Sequence, residues 1–290
     1  MDTVAARGTF AVPLAHGRGL ALGPRTLVMG IVNVTPDSFA GSVTDPDEAA
    51  SLALRMEEAG ADILDIGGES TRPGAEPVSE ADELARVMPV IERLAGRLGI
   101  PMSVDTYKAG VAAAALSAGA CIVNDISGLG YDRKLADAVA GSGAAVVLMH
   151  TRGRSRQMYR EAVYSDVVAE VAAELRLAMD RAEAAGISAD RIILDPGLGF
   201  AKGADDSFTL LAALPRLHAL GRPLLIGPSR KSFLTAAMGQ ATPSERDWGT
   251  AAAVTAAILS GVHIVRVHEV GPMVQVARVA DAIRARSPRV

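Results

Sequence analysis

CIVNDISGLGYDRKLADAVAGSGAAVVLMH, residues 121–150, decides the fold. It begins as an apolar, β-branched run (Cys121–Gly128), passes through a helical-looking stretch and ends in a second apolar run (Ala144–His150). Two short buried strands joined by a helix make a βαβ unit, and strands joined that way lie parallel. Outward from it the unit recurs. Thr26–Val34, Ala61–Gly68 and Pro101–Thr106 precede it, and Arg191–Gly197, Pro223–Ser229 and His263–Glu269 follow, with a helical-looking stretch between each pair. Because βαβ crossovers are right-handed, eight such units close most simply into a (β/α)8 TIM barrel of the α/β class, with strands buried on both faces. An open doubly wound sheet is the alternative. Each run ends in polar residues: Asn33, Asp65, Asp105, Asn124, His150, Asp195, the Ser229-Arg230-Lys231 trio, and Arg266 with His268. In a barrel, strand C-termini share one face, so these residues are expected to ring one pocket.

The chain has 290 residues, which accommodates one barrel of about 250 residues and a terminal extension. Residues 26–290 are therefore read as a single barrel domain, and residues 1–25 as a short β-rich extension capping the barrel bottom. Apolar residues make up 49% and aromatics only 3%, a composition suited to an aliphatic, close-packed core. A net charge of −4 argues against a general nucleic-acid binder, which needs broad positive surface to displace counterions. Cys121 is the lone cysteine and lies inside an apolar run, so it is read as a small buried hydrophobe in a reducing, cytoplasmic setting. No segment has the length and apolarity of a membrane span, and residues 1–25 lack the continuous apolar stretch of a signal peptide.

Helix signals are local. Ser79, followed by Glu80, Asp82 and Glu83 and then Leu84, Val87, Met88, Ile91 and Leu94, predicts a helix over 79–98. Val163–Ala185, Asp206–Leu220, Asp247–Ser260 and Met273–Arg284 have similar apolar stripes, with Gly186, Gly221 and Gly261 as C-terminal stops.

Two loops carry chemistry. Asn33 to Ser42 offers an amide, hydroxyls, a carboxylate and Phe39; Thr35-Pro36-Asp37 alone would be an ordinary turn. Asp65 to Gly74 is long, glycine-flanked and includes Arg72, a forked cation suited to closing over an anionic or aromatic substrate. Taken together, Met29-Gly-Ile-Val-Asn-Val-Thr-Pro-Asp-Ser-Phe39, Asp65-Ile-Gly-Gly-Glu-Ser-Thr-Arg-Pro-Gly74, Ser103-Val-Asp-Thr106, Asn124-Asp-Ile126, Asp195-Pro-Gly-Leu-Gly-Phe200, Ser229-Arg-Lys-Ser232 and Arg266-Val-His268 closely resemble the dihydropteroate synthase family of pterin-binding proteins. The resemblance runs in order through residues 26–285, each fragment at the end of a different expected strand.

That resemblance implies a transferase joining 6-hydroxymethyl-7,8-dihydropterin diphosphate to 4-aminobenzoate, with release of diphosphate and formation of 7,8-dihydropteroate for folate synthesis. It implies a pterin pocket of Asp105, Asn124, Asp195 and Lys231, whose donors and acceptors suit a flat heterocycle. It further implies diphosphate binding by Asn33, Arg266 and His268, with Mg2+ on the Asn33 oxygen, and catalytic roles for Asp105, Lys231, Arg266 and His268. Cleavage of the C–O bond is expected to run ahead of attack, giving a dissociative substitution through a pterin cation that Asp105 stabilises. Aminobenzoate is expected among Phe39, Thr71, Arg72, Pro73 and Phe200, with its carboxylate near Ser232, where Lys231-Ser232 opens a helix. Family resemblance also implies a homodimer through C-terminal outer helices, where Val274, Val276, Val279 and Ile283 suit core or interface.

One segment departs from the pattern. Family members commonly follow the Phe with Ser-Asp-Gly-Gly, whereas Phe39 precedes Ala40-Gly41-Ser42-Val43-Thr44-Asp45, a shorter loop expected to alter affinity for aminobenzoate or its sulfonamide mimics. Arg152, Arg154 and Arg156 after His150 are read as diphosphate-steering residues or a solvated charged loop, and His150 as a rim residue without a catalytic role. Two other functions fit parts of the pattern: a non-catalytic pterin-binding paralogue, and a pterin-dependent methyltransferase, which has no use for a diphosphate site.

Overall fold

The computed structural model describes residues 6–35, 43–70, 74–154 and 163–286. A short antiparallel hairpin, β1 (Phe10–Pro13) and β2 (Gly19–Leu22), precedes the barrel. The barrel runs β3 (Leu27–Asn33), α1 (Pro46–Glu58), β4 (Ile63–Gly67), α2 (Glu80–Leu94), β5 (Met102–Asp105), α3 (Ala109–Ser117), β6 (Ile122–Asp125), α4 (Lys134–Ser142), β7 (Ala145–Met149), α5 (Val167–Ala184) and β8 (Ile192–Asp195). It continues through α6 (Ala204–Ala212), α7 (Leu214–Leu217), β9 (Leu225–Ile226), α8 (Thr235–Met238), α9 (Asp247–Leu259), β10 (Ile264–Val267) and α10 (Val270–Arg284).

All pairings within the eight-stranded sheet are parallel, in the order β8-β7-β6-β5-β4-β3-β10-β9. An isolated parallel bridge between Leu194 and Leu224 joins the two ends. The eight sequence runs therefore fall on the eight strands, and the open-sheet alternative is excluded. Helices cover the outside, so strands such as β4 and β7 are buried at every position. One continuous aliphatic core links them to the helices.

Local chemistry sets the helix ends. Asp45 caps α1 by accepting from the Asp47 and Glu48 N–H groups, Ser79 caps α2 through the Asp82 N–H, and Asp166 caps α5. Gly186, Gly221 and Gly261 all adopt positive φ where the sequence predicts stops. Four expected helix bounds need correction: α2 ends at Leu94 rather than 98, and α10 starts at Val270 rather than Met273. The helix read over Asp206–Leu220 is interrupted: α6 ends at Ala212, and Pro215, which has no N–H to continue the ladder, sits in the separate turn α7. The start read at Val163 is moved to Val167, where Asp166 caps the helix.

The hairpin lies against the N-terminal ends of the strands. Arg18 donates to the Ile100 carbonyl at 2.8 Å, just before β5, and the Phe10 ring meets His263, just before β10, edge-on at 5.2 Å. Fully buried His263 accepts from the Leu224 N–H through Nδ1 and donates from Nε2 to the Gly8 carbonyl. Burial lowers its pKa from 6.5 to about 4, against the pull of the Gly8 bond. The folded state thus prefers the neutral imidazole, and the associated stability is complete above pH 6.5 and lost as pH falls toward 4. At most roughly 2–4 kcal/mol is at stake. The urea midpoint is expected to fall across that window, and less steeply in His263→Gln.

Candidate active site

Strand register builds the floor of the site. Pairing aligns Asn33, Gly67, Asp105 and Asn124 at one level across four adjacent strands, β3 to β6. Paired residues in parallel strands project to the same side of the sheet. Gly67 keeps this level open, because a Cβ there would lie 3.3 Å from the Asp105 Cβ. From β10, Arg266 reaches across: its Nε donates to Asp65 Oδ2 at 2.6 Å and its Nη2 to Asp105 Oδ2 at 2.7 Å. Asn124 Nδ2 donates to the same Asp65 oxygen at 2.8 Å. Asp65 is therefore the hub of the network, whereas in the sequence it stands only as one strand-end residue among several. The available signal was its place two residues before Gly67 on β4, the same face of the strand.

The remaining Asp65 oxygen, Oδ1, is buried without a hydrogen-bond partner among the described residues. Asp105 is held above the usual carboxylate range by burial, against the pull of Arg266, with the Asp65 charge adding to the rise. Burial also raises Asp195, opposed by the Lys231 charge and by the Gly197 N–H, which donates to it at 2.7 Å. Arg266 stays above its ordinary value: burial works to lower it, but Asp65 and Asp105 outweigh that. Lys231 is half-buried and lowered to about 7 by burial, with Asp195 pulling upward. Its Nζ donates to the Leu198 carbonyl and lies 4.0 Å from the centre of the Phe200 ring. Lys231, Asp195 and Phe200 are thus brought together by two loops, one after β8 and one after β9.

The trio after β9 divides. Arg230 adopts φ 58°, a left-handed conformation that a side chain tolerates only when its surroundings hold it. Two hydrogen bonds to Asp247 and one to Glu269 do so, directing Arg230 away from Lys231. Ser229 faces His268, with Oγ and Nδ1 2.9 Å apart, and also accepts from the His268 N–H. Two rim ends are tied together by that pair.

The second loop is anchored at its base. Lys108 bridges Glu69 and buried Glu83, while the Tyr107 hydroxyl donates to Glu69 at 2.8 Å. Phe39, Thr71, Arg72 and Pro73 lie outside the described residues, as do positions 36–42 of the departing first loop. Asp45 does not supply that loop with a carboxylate, since it caps α1. Ser232 is exposed at a short 3-10 turn, and the helix beyond it, α8, has only four residues. Lys231-Ser232 therefore does open a helical segment, a short one, and a carboxylate at Ser232 would meet chiefly its first N–H groups.

Arg152 is committed to Glu170 and Glu174, while the exposed Arg154 lies 4.6 Å from the Tyr131 ring centre. Arg156 is outside the described residues. Cys121 is buried, with its thiol pushed up by burial, in keeping with a packing role. Among the described residues no group of three or more His, Cys, Asp or Glu is placed to hold a metal, and no helix is long and apolar enough to cross a membrane.

Known proteins resemble this chain in sequence and in fold. Residues 29–268 match the family model described as pterin binding enzyme. The dihydropteroate synthase of Synechocystis sp. is 47% identical over 277 residues, covering 94% of this chain and 96% of that protein. A Yersinia pestis dihydropteroate synthase solved with a sulfonamide drug complex superposes with a TM-score of 0.89 at 41% identity, covering 93% of this chain and 98% of that one. A Burkholderia cenocepacia dihydropteroate synthase complexed with 7,8-dihydropteroate gives 0.86 at 43% identity, with 95% and 97% covered.

Proposed function

Since the chain belongs to the dihydropteroate synthase family of pterin-binding enzymes, we propose that its barrel mouth condenses 6-hydroxymethyl-7,8-dihydropterin diphosphate with 4-aminobenzoate. It is a transferase of folate biosynthesis. The observation that carries the reading is the convergence of Asp105, Asn124, Asp195 and Lys231 on one mouth, with Arg266 and His268 beside them. These groups complement the hydrogen-bonding edge of a pterin, and a methyltransferase would have no use for the diphosphate side.

In the proposed reaction the C–O bond between the pterin methylene and the diphosphate breaks first, and its electron pair leaves with the diphosphate. Arg266 carries five N–H bonds and uses one each on Asp65 and Asp105, so others remain for phosphate oxygens. Together with His268 it stabilises the departing charge. The Asp105 carboxylate faces the positive charge left on the pterin methylene. The aminobenzoate nitrogen then attacks that carbon and sheds a proton to the diphosphate. No side-chain nucleophile is needed, and positioning of the two substrates supplies the remaining acceleration. Phe39, Thr71, Arg72, Pro73, Phe200 and Ser232 are the proposed aminobenzoate contacts, the place where a sulfonamide would compete.

Magnesium fits this site as a companion of the diphosphate. The donor set is oxygen, but the chain contributes only the Asn33 amide and no multi-carboxylate cage among the described residues, which suits an ion that keeps water and phosphate ligands. When bound it would neutralise phosphate charge. Chelation with EDTA is expected to weaken binding of the pterin diphosphate about tenfold, while binding of hydroxymethylpterin, which lacks phosphate, stays unchanged. Titration calorimetry on wild type and Asn33→Ala reads both; equal effects on the two ligands would remove the metal from Asn33. A homodimer through the α9–α10 side is also proposed, on the exposure of Trp248 and Val279 there.

The function itself is tested by mass spectrometry of a single turnover with both substrates. Dihydropteroate is the expected product; hydroxymethyldihydropterin alone would mean hydrolysis rather than condensation.

A further inference from the structure

Lys202 is 1% exposed and, among the described residues, hydrogen-bonds to no carboxylate. Burying an ammonium is costly, so the groups around it show what it does there. Its Nζ lies 2.8 Å from His150 Nδ1, 2.9 Å from the Phe200 carbonyl and 3.0 Å from the Gly197 carbonyl, with the His150 carbonyl at 3.3 Å. Three N–H bonds thus meet three good acceptors. Because the ammonium donates to Nδ1, the His150 proton sits on Nε2 and is donated to Glu174 at 2.9 Å. Burial and the Lys202 charge lower His150 to about 4, which keeps Nδ1 free to accept. Arg152 holds the outer end by pairing with Glu174.

The loop wrapped around this ammonium is unusual. Gly197, Gly199 and Ala201 all have positive φ, at 70°, 73° and 47°. A side chain at Gly197 would run into the His150 carbonyl at 2.1 Å, and Ala201 accepts a strained conformation despite its Cβ. This alternation turns the Gly197 and Phe200 carbonyls inward to Lys202, while the Leu198 carbonyl and the Phe200 ring face Lys231. The Tyr164 hydroxyl, donating to the Ala201 carbonyl at 2.9 Å, closes the far side. One loop therefore has a buried lysine on its inner face and an active-site lysine on its outer face.

We propose that Lys202 is a positioning residue for the second substrate: its ammonium is the centre on which the Gly197–Ala201 arch is folded, and it acts by placing Phe200. Glu174 and His150 are the remaining members of the same device, setting the acceptor that the ammonium needs. This inference rests on the aminobenzoate reading of Phe200 given above. An apolar residue of similar length would fill the space but leave the inward Phe200 carbonyl without its donor, and the arch would relax.

The test is steady-state kinetics with both substrates, together with the dissociation constant for hydroxymethyldihydropterin diphosphate. Lys202→Met is expected to raise the aminobenzoate KM at least tenfold while pterin diphosphate affinity stays within threefold. His150→Leu is expected to move the same KM in the same direction. His150→Gln, whose amide oxygen can accept from Lys202 while its NH2 donates to Glu174, is expected to return it to within threefold of wild type. An aminobenzoate KM within threefold of wild type in Lys202→Met would overturn the proposal. So would matching kinetics of His150→Leu and His150→Gln, and this pair decides the question if Lys202→Met does not fold. Wild-type chain that forms no dihydropteroate would sink the functional reading itself and this inference with it, a failure visible before any variant is made.

Discussion

Arg266→Met is expected to lose roughly 10²–10³ in kcat, the scale for removing one preorganised donor to developing anionic charge, and about 3–5 kcal/mol of stability, the scale for breaking a buried ion pair from one side. Both losses come from one geometry. Arg266 is clamped between fully buried Asp65 and half-buried Asp105, so its removal leaves two carboxylates facing one another inside the barrel mouth. With folded domains typically stable by about 5–15 kcal/mol, this is a large fraction of the total. Such a pair relieves itself by taking up a proton. In the variant, a carboxyl's folded pKa would lie above its unfolded value, so its protonation supports the fold at low pH and is lost as pH rises through the folded pKa. The stability deficit of Arg266→Met is therefore expected to shrink as pH falls from 8 toward 5. Urea unfolding at several pH values checks the sign; a deficit that grows on acidification would mean that the two carboxylates do not face each other without the arginine.

Lys231→Met is expected to behave in the opposite way toward stability while still losing activity. Its Nζ has a carbonyl and an aromatic face as partners, and burial has already lowered it to about 7. Replacing that cation by an apolar chain of similar length removes a desolvation cost, so the urea midpoint at pH 7.5 should hold or rise slightly. Because the wild-type pKa is depressed, the unfolded chain binds the extra proton between about pH 7 and 10.5, and wild-type stability rises with pH there. The variant should show a flatter profile. Catalytically, a hydrogen bond from a charged donor to the pterin is lost, worth about 1.5–3 kcal/mol, or roughly 10–150-fold in kcat/KM. The loss should appear mainly in the pterin diphosphate KM. Unchanged pterin affinity in a folded Lys231→Met would remove the lysine from the pterin pocket.

The contrast between these residues shows what is legible in a linear sequence. The eight strand ends could be read because parallel strands buried on both faces need unbroken β-branched runs, and because a barrel gathers their C-termini on one rim. Gly186, Gly221 and Gly261 could be read because a positive φ at a helix end favours glycine. β9 is shorter than the run Pro223–Ser229 predicts: Leu225–Ile226 is only two residues long, confined between Pro223 and Pro228, which have no N–H for the ladder. Asp65 is not legible as a hub, because a hub is defined by what converges on it, and Asn124 and Arg266 arrive from strands distant in sequence. Lys202 carried no local signal of burial, since a lysine before a helix is ordinarily solvated. Only closure of the loop around it, with His150 contributed from β7, turns it into an internal cation. Residue types at strand ends were thus readable, whereas partners reached across the barrel were not.

Diphosphate release and dihydropteroate formation, followed together, decide whether the barrel mouth condenses the two substrates. Purified chain would be supplied with hydroxymethyldihydropterin diphosphate and magnesium, with and without 4-aminobenzoate. Equimolar diphosphate and dihydropteroate, formed only when 4-aminobenzoate is present and suppressed in Arg266→Met and Lys231→Met, is the predicted result. Tight binding of the pterin diphosphate with no dihydropteroate at any aminobenzoate concentration would contradict it.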